Sequence, residues 1–232
     1  MTSSTFILVP GAGGDPLYWH LVAPLLRAAG HEAVAVRLPA GEDGAGLAEY
    51  ASTITGAIDG RRDVVLVAQS MGAFSAPIAA AAAPSGQVTR IALVAPMIPA
   101  PGETAGEFWR TTGQDDAARA FAIEEGRDPD APFDLHEAFL HDVPADVAEH
   151  LLAEGDSRDE GSSFEDPWPL DAWPDIPTTV TAGARDRLFP LGFMRGLARD
   201  RLGIEEVGVI DSGHLPALSR PEELTRAILA RC

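Results

Sequence analysis

A serine hydroxyl attacks a carbonyl only when a neighbouring base can take its proton, and Ser70 stands where that chemistry can be assembled. The run Val65-Leu66-Val67-Ala68-Gln69-Ser70-Met71-Gly72-Ala73 reads as an apolar strand passing through small-x-Ser-x-Gly into a helix. On a tight strand-to-helix turn the Oγ is exposed at the carboxyl end of the sheet, and small residues on either side let the turn close. Read alone, the same serine would serve equally well as a helix cap. A base and an acid at the same sheet edge would separate the two readings.

Six histidines are available. His20 and His31 precede the serine, on or after a helix, and His136, His141 and His150 fall in an acidic stretch where solvated histidine is the plain expectation. His214 differs, because it follows the last strand at once in Ile210-Asp211-Ser212-Gly213-His214. Such a loop shares the sheet edge of the Ser70 turn. A carboxylate must then fix the imidazole tautomer. Asp186, in Ala182-Gly183-Ala184-Arg185-Asp186-Arg187, follows the preceding strand. Its ordinary reading is a turn aspartate pairing with Arg185 or Arg187, and Asp211 is the rival acid. Asp186 is preferred because a loop one strand away can face the imidazole from behind. The chain order Ser, Asp, His is that of hydrolases with a serine on such a turn.

The oxyanion formed by attack needs backbone donors. Val9-Pro10-Gly11-Ala12-Gly13-Gly14-Asp15 follows the first strand, and its glycines let N–H groups turn toward the site; the N–H of Met71 would be the second donor. A dinucleotide-binding loop is the competing reading of Gly11-x-Gly13. Pro16 stands where its third glycine belongs, and the second strand runs into Arg37 rather than an acid.

The elements that must hold these residues alternate. Strands are expected at 6–9, 33–36, 64–67, 91–94, 178–181 and 207–210, and helices at 16–29, 47–58, 73–83, 191–199 and 221–231, with Ser219 as a candidate cap for the last. Continuous apolar strands alternating with helices predict an α/β fold: a doubly wound, mostly parallel sheet of about six strands with helices on both faces. After Pro99-Ala100-Pro101-Gly102 the rhythm breaks. Residues 103–166 hold 19 acidic residues against 4 arginines, a net of −15, and the prolines from Pro167 mark the return. The expected organisation is a core of 1–102 and 167–232 carrying a helical cap, or lid, at 103–166. A solvated insertion is a simpler account of its charge than a role in substrate choice.

Composition narrows the partners. The 232 residues carry a net charge of −18, which opposes nucleic acid, and no apolar run approaches the ~18 residues of a membrane span. All 17 basic residues are arginine, so lysine chemistry is excluded. One cysteine, Cys232, permits no intrachain disulfide, and the first residues lack the features of a signal peptide; a cytoplasmic location is expected.

These motifs resemble the α/β-hydrolase superfamily, within it the branch of plant methylesterases and hydroxynitrile lyases. Pro10-Gly11-Ala12 is similar to the family's oxyanion loop, with Trp19 for its downstream aromatic. Met97 to Glu103 resembles the stretch leading into its cap. Asp186 with Phe189-Pro190 and Phe193 resembles the acid loop, and Ser212-Gly213-His214-Leu215-Pro216 the histidine loop. Pro10, Ala68 and Gln69 depart from the family's His, Gly and His. The resemblance implies Ala12 and Met71 as oxyanion donors and neither cofactor nor metal. The lyases carry a lysine after the catalytic histidine and a threonine in the oxyanion loop; Leu215 and Ala12 stand there, so hydrolysis is expected.

The expected activity is hydrolysis of an ester or thioester of a small, largely apolar acyl substrate through an acyl-enzyme on Ser70. Phe74, Met97, Phe108, Trp109 and Leu215 are candidate pocket walls, although packing the cap onto the core is the plainer role for each aromatic. Two alternatives remain: acyl transfer from a thioester on an acyl carrier protein to an alcohol or amine, and a receptor-like binding protein on a hydrolase scaffold.

Overall fold

A computed structural model describes residues 3–155 and 161–230; Arg231, at the expected end of the closing helix, and Cys232 lie outside them. Six strands form one sheet: β1 (Thr5–Val9), β2 (Glu32–Ala35), β3 (Val64–Gln69), β4 (Val88–Val94), β5 (Thr178–Gly183) and β6 (Gly208–Ile210). Their order is β2-β1-β3-β4-β5-β6 and every neighbouring pair is parallel. Alternate residues of each strand point to opposite faces. Ile7, Val9, Leu66 and Leu93 join a core with α2 (Leu47–Ile58), α3 (Gly72–Ala82) and α7 (Leu191–Leu202). Phe6, Leu8, Val65 and Val67 join a second core with α1 (Val22–Ala28) and α9 (Pro221–Leu229). Burial on both faces is why these strands read as unbroken apolar runs.

The expected helix at 16–29 is two pieces. Pro16–Trp19 is a 3-10 turn whose Leu17 N–H bonds the Asp15 side chain, and α1 starts at Val22. Pro24 explains the break: its ring would clash with the carbonyl of His20 in a continuous helix. Ser219 caps nothing; it ends the short α8 (Pro216–Ser219), and Arg220 occupies the N-cap of α9.

Between β4 and β5 lie α4 (Ala105–Thr112), opened by a Thr104/Glu107 capping box, α5 (Gln114–Glu124), a π-helical turn at His136–Leu140, and α6 (Ala145–Glu154). Glu103, at the start of this insertion, pairs with Arg201 of α7. No helix among the described residues is long and apolar enough to cross a membrane.

The chain leaves β1 toward β2 and then crosses to β3 on the other side. Strand order reverses there, which opens a crevice beyond the carboxyl ends of β1 and β3.

Candidate active site

Ser70 occupies that crevice. β3 ends at Gln69, α3 starts at Gly72, and the turn between them forces Ser70 to φ 49°, the left-handed region that L residues avoid. The Ser70 carbonyl accepts from Ala73 N–H at 3.1 Å and Met97 N–H at 3.0 Å, and its own N–H donates to Val94 O at 3.1 Å, so neighbouring backbone holds the turn. The β1 loop closes directly on it. A Cβ on Gly11 would fall 2.3 Å from Gln69 Oε1 and 2.9 Å from the Ser70 Cβ, so the approach requires glycine. Ala12, next in that loop, lines the same cavity as Ser70, and Met71 stands at the N-cap of α3, where N–H groups lack helical acceptors.

His214 and Asp186 meet beyond β5 and β6. The imidazole Nδ1–H donates to Asp186 Oδ2 at 2.9 Å, with both side chains 1% exposed. The other carboxylate oxygen accepts the N–H groups of Leu188 and Phe189, each at 2.9 Å, which fixes its plane. With Nδ1–H committed to the carboxylate, Nε2 is the basic nitrogen. It is buried without a hydrogen-bond partner, and His214 lines the cavity that Ser70 lines. Two rings flank the imidazole edge-to-face, Phe189 at 5.0 Å and Phe139 of the insertion at 5.3 Å. Asp211 pairs instead with Arg185 at 2.8 Å, and Arg187 pairs with Glu125 at 3.2 Å and with Glu137. The arginines flanking Asp186 are thus spent elsewhere.

The shared cavity measures about 550 Å³. Met97, Trp109 and Leu215 line it; Phe74 and Phe108 do not. Phe74 is fully buried beneath Trp168, whose Nε1–H donates to its carbonyl at 3.0 Å. Phe108 is fully buried against Phe189 and Phe193. It and Trp109 sit about 100° apart around α4, and only the second faces the opening. The insertion adds Phe139, Leu140 and Leu151, with Phe133, Leu135 and Leu152 at the mouth, where they are 72%, 45% and 52% exposed. Among the described lining residues the only aspartate, glutamate or arginine is Asp15, which pairs with Arg37 at 3.2 Å. Tyr18, also on the wall, keeps its proton: burial raises its pKa far above the usual value, and Asp186 and Asp142 add to the effect.

Sequence reasoning missed three contributors. Phe139 carries no local mark of its contact with His214. Gln69 Nε2 reaches toward the His214 carbonyl at 3.5 Å. His141, read as solvated, is half-buried against the His214 loop, and burial followed by the Arg187 charge pushes its pKa down. A second depression of about 600 Å³, between α2 and α3, is lined by Ala51, Thr55, Ile78 and Ala82 and carries no nucleophile beside a base. Among the described residues no group of three or more His, Cys, Asp or Glu could hold a metal ion.

The model of the alpha/beta hydrolase family matches residues 6–227. A norfluorocurarine synthase from Strychnos is 24% identical over 260 aligned positions, covering 96% of this chain and 93% of that protein. Among solved structures, polyneuridine aldehyde esterase superposes with a TM-score of 0.74 at 18% identity, covering 99% of each chain. A methylesterase from Arabidopsis gives 0.75 at 19% identity, covering 98% of each.

Proposed function

The chain belongs to the alpha/beta hydrolase family, and from that premise we propose that it is a serine esterase working through an acyl-enzyme on Ser70, with His214 as base and Asp186 as its orienting acid. One observation carries the reading: the imidazole of His214, a residue of the cavity that Ser70 lines, has its Nδ1–H committed to a buried carboxylate and its Nε2 without a hydrogen-bond partner.

Ser70 Oγ adds to the ester carbonyl carbon as its proton passes to His214 Nε2, and Asp186 stabilises the imidazolium. The N–H groups of Ala12 and Met71 are proposed to hold the oxyanion. A single such donor is worth roughly 3 kcal/mol of barrier. Collapse breaks the bond to the leaving alcohol, which takes the proton from Nε2. Water then adds to the acyl carbon, gives its proton to Nε2, and Ser70 regains a proton as the acid departs. The rings of Phe139 and Phe189 keep the base in a dry surrounding, where fixed dipoles act more strongly.

The substrate proposed is an uncharged ester with a sizeable apolar group. Walls of Met97, Trp109, Phe139 and Leu151 offer apolar contact, and the described lining holds no cation for a carboxylate or a carrier's phosphate. A carrier-borne thioester is therefore the weaker reading. We take the described part of 103–166 as a lid, because it supplies much of that wall.

Ser70→Ala is expected to lower kcat on a short panel of apolar esters by roughly four to six orders of magnitude with the fold unchanged. A fluorophosphonate should label the wild type at Ser70 and leave the variant unlabelled. Turnover near the wild-type rate in Ser70→Ala contradicts the mechanism, and labelling without turnover of any ester points to a receptor-like role.

A further inference from the structure

Asp186 fixes the imidazole of His214, but the backbone that bears this imidazole is fixed by another carboxylate. Gly213 donates its N–H to Asp142 Oδ2 at 2.7 Å, across 71 residues of sequence. Asp142 belongs to the insertion, two residues beyond the π-helical turn. Its side chain is 1% exposed and stands 3.7 Å from Arg185 Nη2. Its second oxygen is buried with no hydrogen-bond partner. Arg185 secures the same loop, through its Nη2 to the Asp211 carbonyl at 2.9 Å and its backbone N–H to Ser212 O at 2.9 Å.

The fit at Gly213 is tight. A Cβ there would lie 2.7 Å from Asp142 Oδ1 and 2.7 Å from His141 Cε1. Gly213 has no positive φ, so a side chain there is opposed by lack of space and not by backbone strain: Asp142 and His141 would have to shift to admit it. The same short stretch of insertion sets Phe139 against the imidazole. A buried carboxylate with one oxygen unbonded is costly to keep, and mere filler would be better served by an uncharged side chain. A charge-assisted bond to backbone N–H is, however, stronger than a neutral one and holds its partner more narrowly.

We propose that Asp142 is a positioning residue: through Gly213 it seats His214, so that the base is aligned only when the insertion is in place. The proposal rests on the serine-esterase reading above. Misplacing a reacting group by 1 Å can cost about a hundredfold in rate, which bounds what this contact can be worth.

The experiment compares wild type, Asp142→Ala, Asp142→Asn, Gly213→Ala and the Asp142→Ala/Gly213→Ala pair in the full chain. It measures ester kcat and KM and the rate of fluorophosphonate labelling at Ser70. Asp142→Ala should lower kcat and labelling rate by about 10- to 100-fold with KM within about threefold of wild type. Asp142→Asn, whose amide oxygen can accept the same N–H, should recover most of the loss. The double variant should be no slower than the slower single, since both remove one contact. An Asp142→Ala variant within about twofold of wild type, a change confined to KM, or an Asp142→Asn variant as slow as Asp142→Ala overturns the proposal. If Asp142→Ala does not fold, Asp142→Asn and Gly213→Ala decide: the first near wild type and the second slow in kcat alone supports the role, and any other pattern rejects it. Wild-type labelling at Ser70 together with ester turnover, both absent in Ser70→Ala, shows that the underlying reading stands whatever Asp142 does. The lack of either in the wild type brings down both.

Discussion

At Ser70 the fold spends stability on geometry. A side chain at φ 49° costs about 1–2 kcal/mol relative to an unstrained residue, and a glycine there would be relieved of it. Ser70→Gly is therefore expected to be more stable than Ser70→Ala by about 1 kcal/mol in denaturant unfolding, although both lack the hydroxyl. Equal stability of the two would mean that the turn is not strained. Ser70, Asp186 and His214 were legible as candidates because each follows a strand, and a parallel sheet places every strand-to-helix loop at one edge. Which aromatics face the cavity was not. Phe108 and Trp109 are neighbours in sequence with opposite fates, decided by the orientation of α4 against Phe189 and Phe193. Asp142 left no mark either, since its meaning depends on an N–H 71 residues away.

Among the elements, the strands were the easiest to read, because two apolar faces leave no competing pattern. The expected helix at 16–29 failed at a proline: Pro24, in the first turn of α1, keeps that helix from running back into the 3-10 turn. The junction of insertion and core depends on Glu103. It pairs with Arg201 Nη2 at 2.9 Å, and Thr111 and the Ala100 N–H also donate to it. Burial raises its pKa, but these bonds outweigh burial and leave the pKa below the usual carboxylate value. A carboxyl group whose folded pKa lies below its unfolded one stabilises the protein fully above the unfolded value. That contribution is lost as pH falls through the folded value. Glu103→Ala should cost about 3 kcal/mol at neutral pH, because Arg201 is left half-satisfied in a buried place. The gap between wild type and variant should begin to narrow below about pH 4, the ordinary glutamate range, and close as pH falls through the lower folded value when unfolding is followed across pH. A gap that persists in acid would mean that packing rather than charge is lost.

For the molecule as a whole, the insertion contributes −15 of the net −18 and also forms much of the cavity wall. Net negative charge on the part of the chain beside a cavity raises the local concentration of cations and lowers that of anions. Between two esters of matched size, one bearing a quaternary ammonium group and one a carboxylate, kcat/KM should favour the cation by roughly 3- to 10-fold at low ionic strength. The preference should shrink at about 0.5 M salt, where charges more than a few ångströms apart are screened. A preference that salt leaves unchanged would place its origin inside the pocket instead. The alternation of apolar strands and helices predicted the single sheet, and composition marked the acidic stretch. Neither showed that this stretch reaches His214 itself, because charge counts carry no direction.

The mouth of the cavity has a thermal consequence. Phe133, Leu135 and Leu152 stand in water at its edge while also lining it. A ligand large enough to fill the opening would dehydrate them together with the inner walls. Calorimetric titration of an unreactive apolar ester analogue into Ser70→Ala should show a negative heat-capacity change, with binding more exothermic on warming. Replacing Phe133 and Leu135 by serine should reduce that slope while leaving the inner cavity as it is.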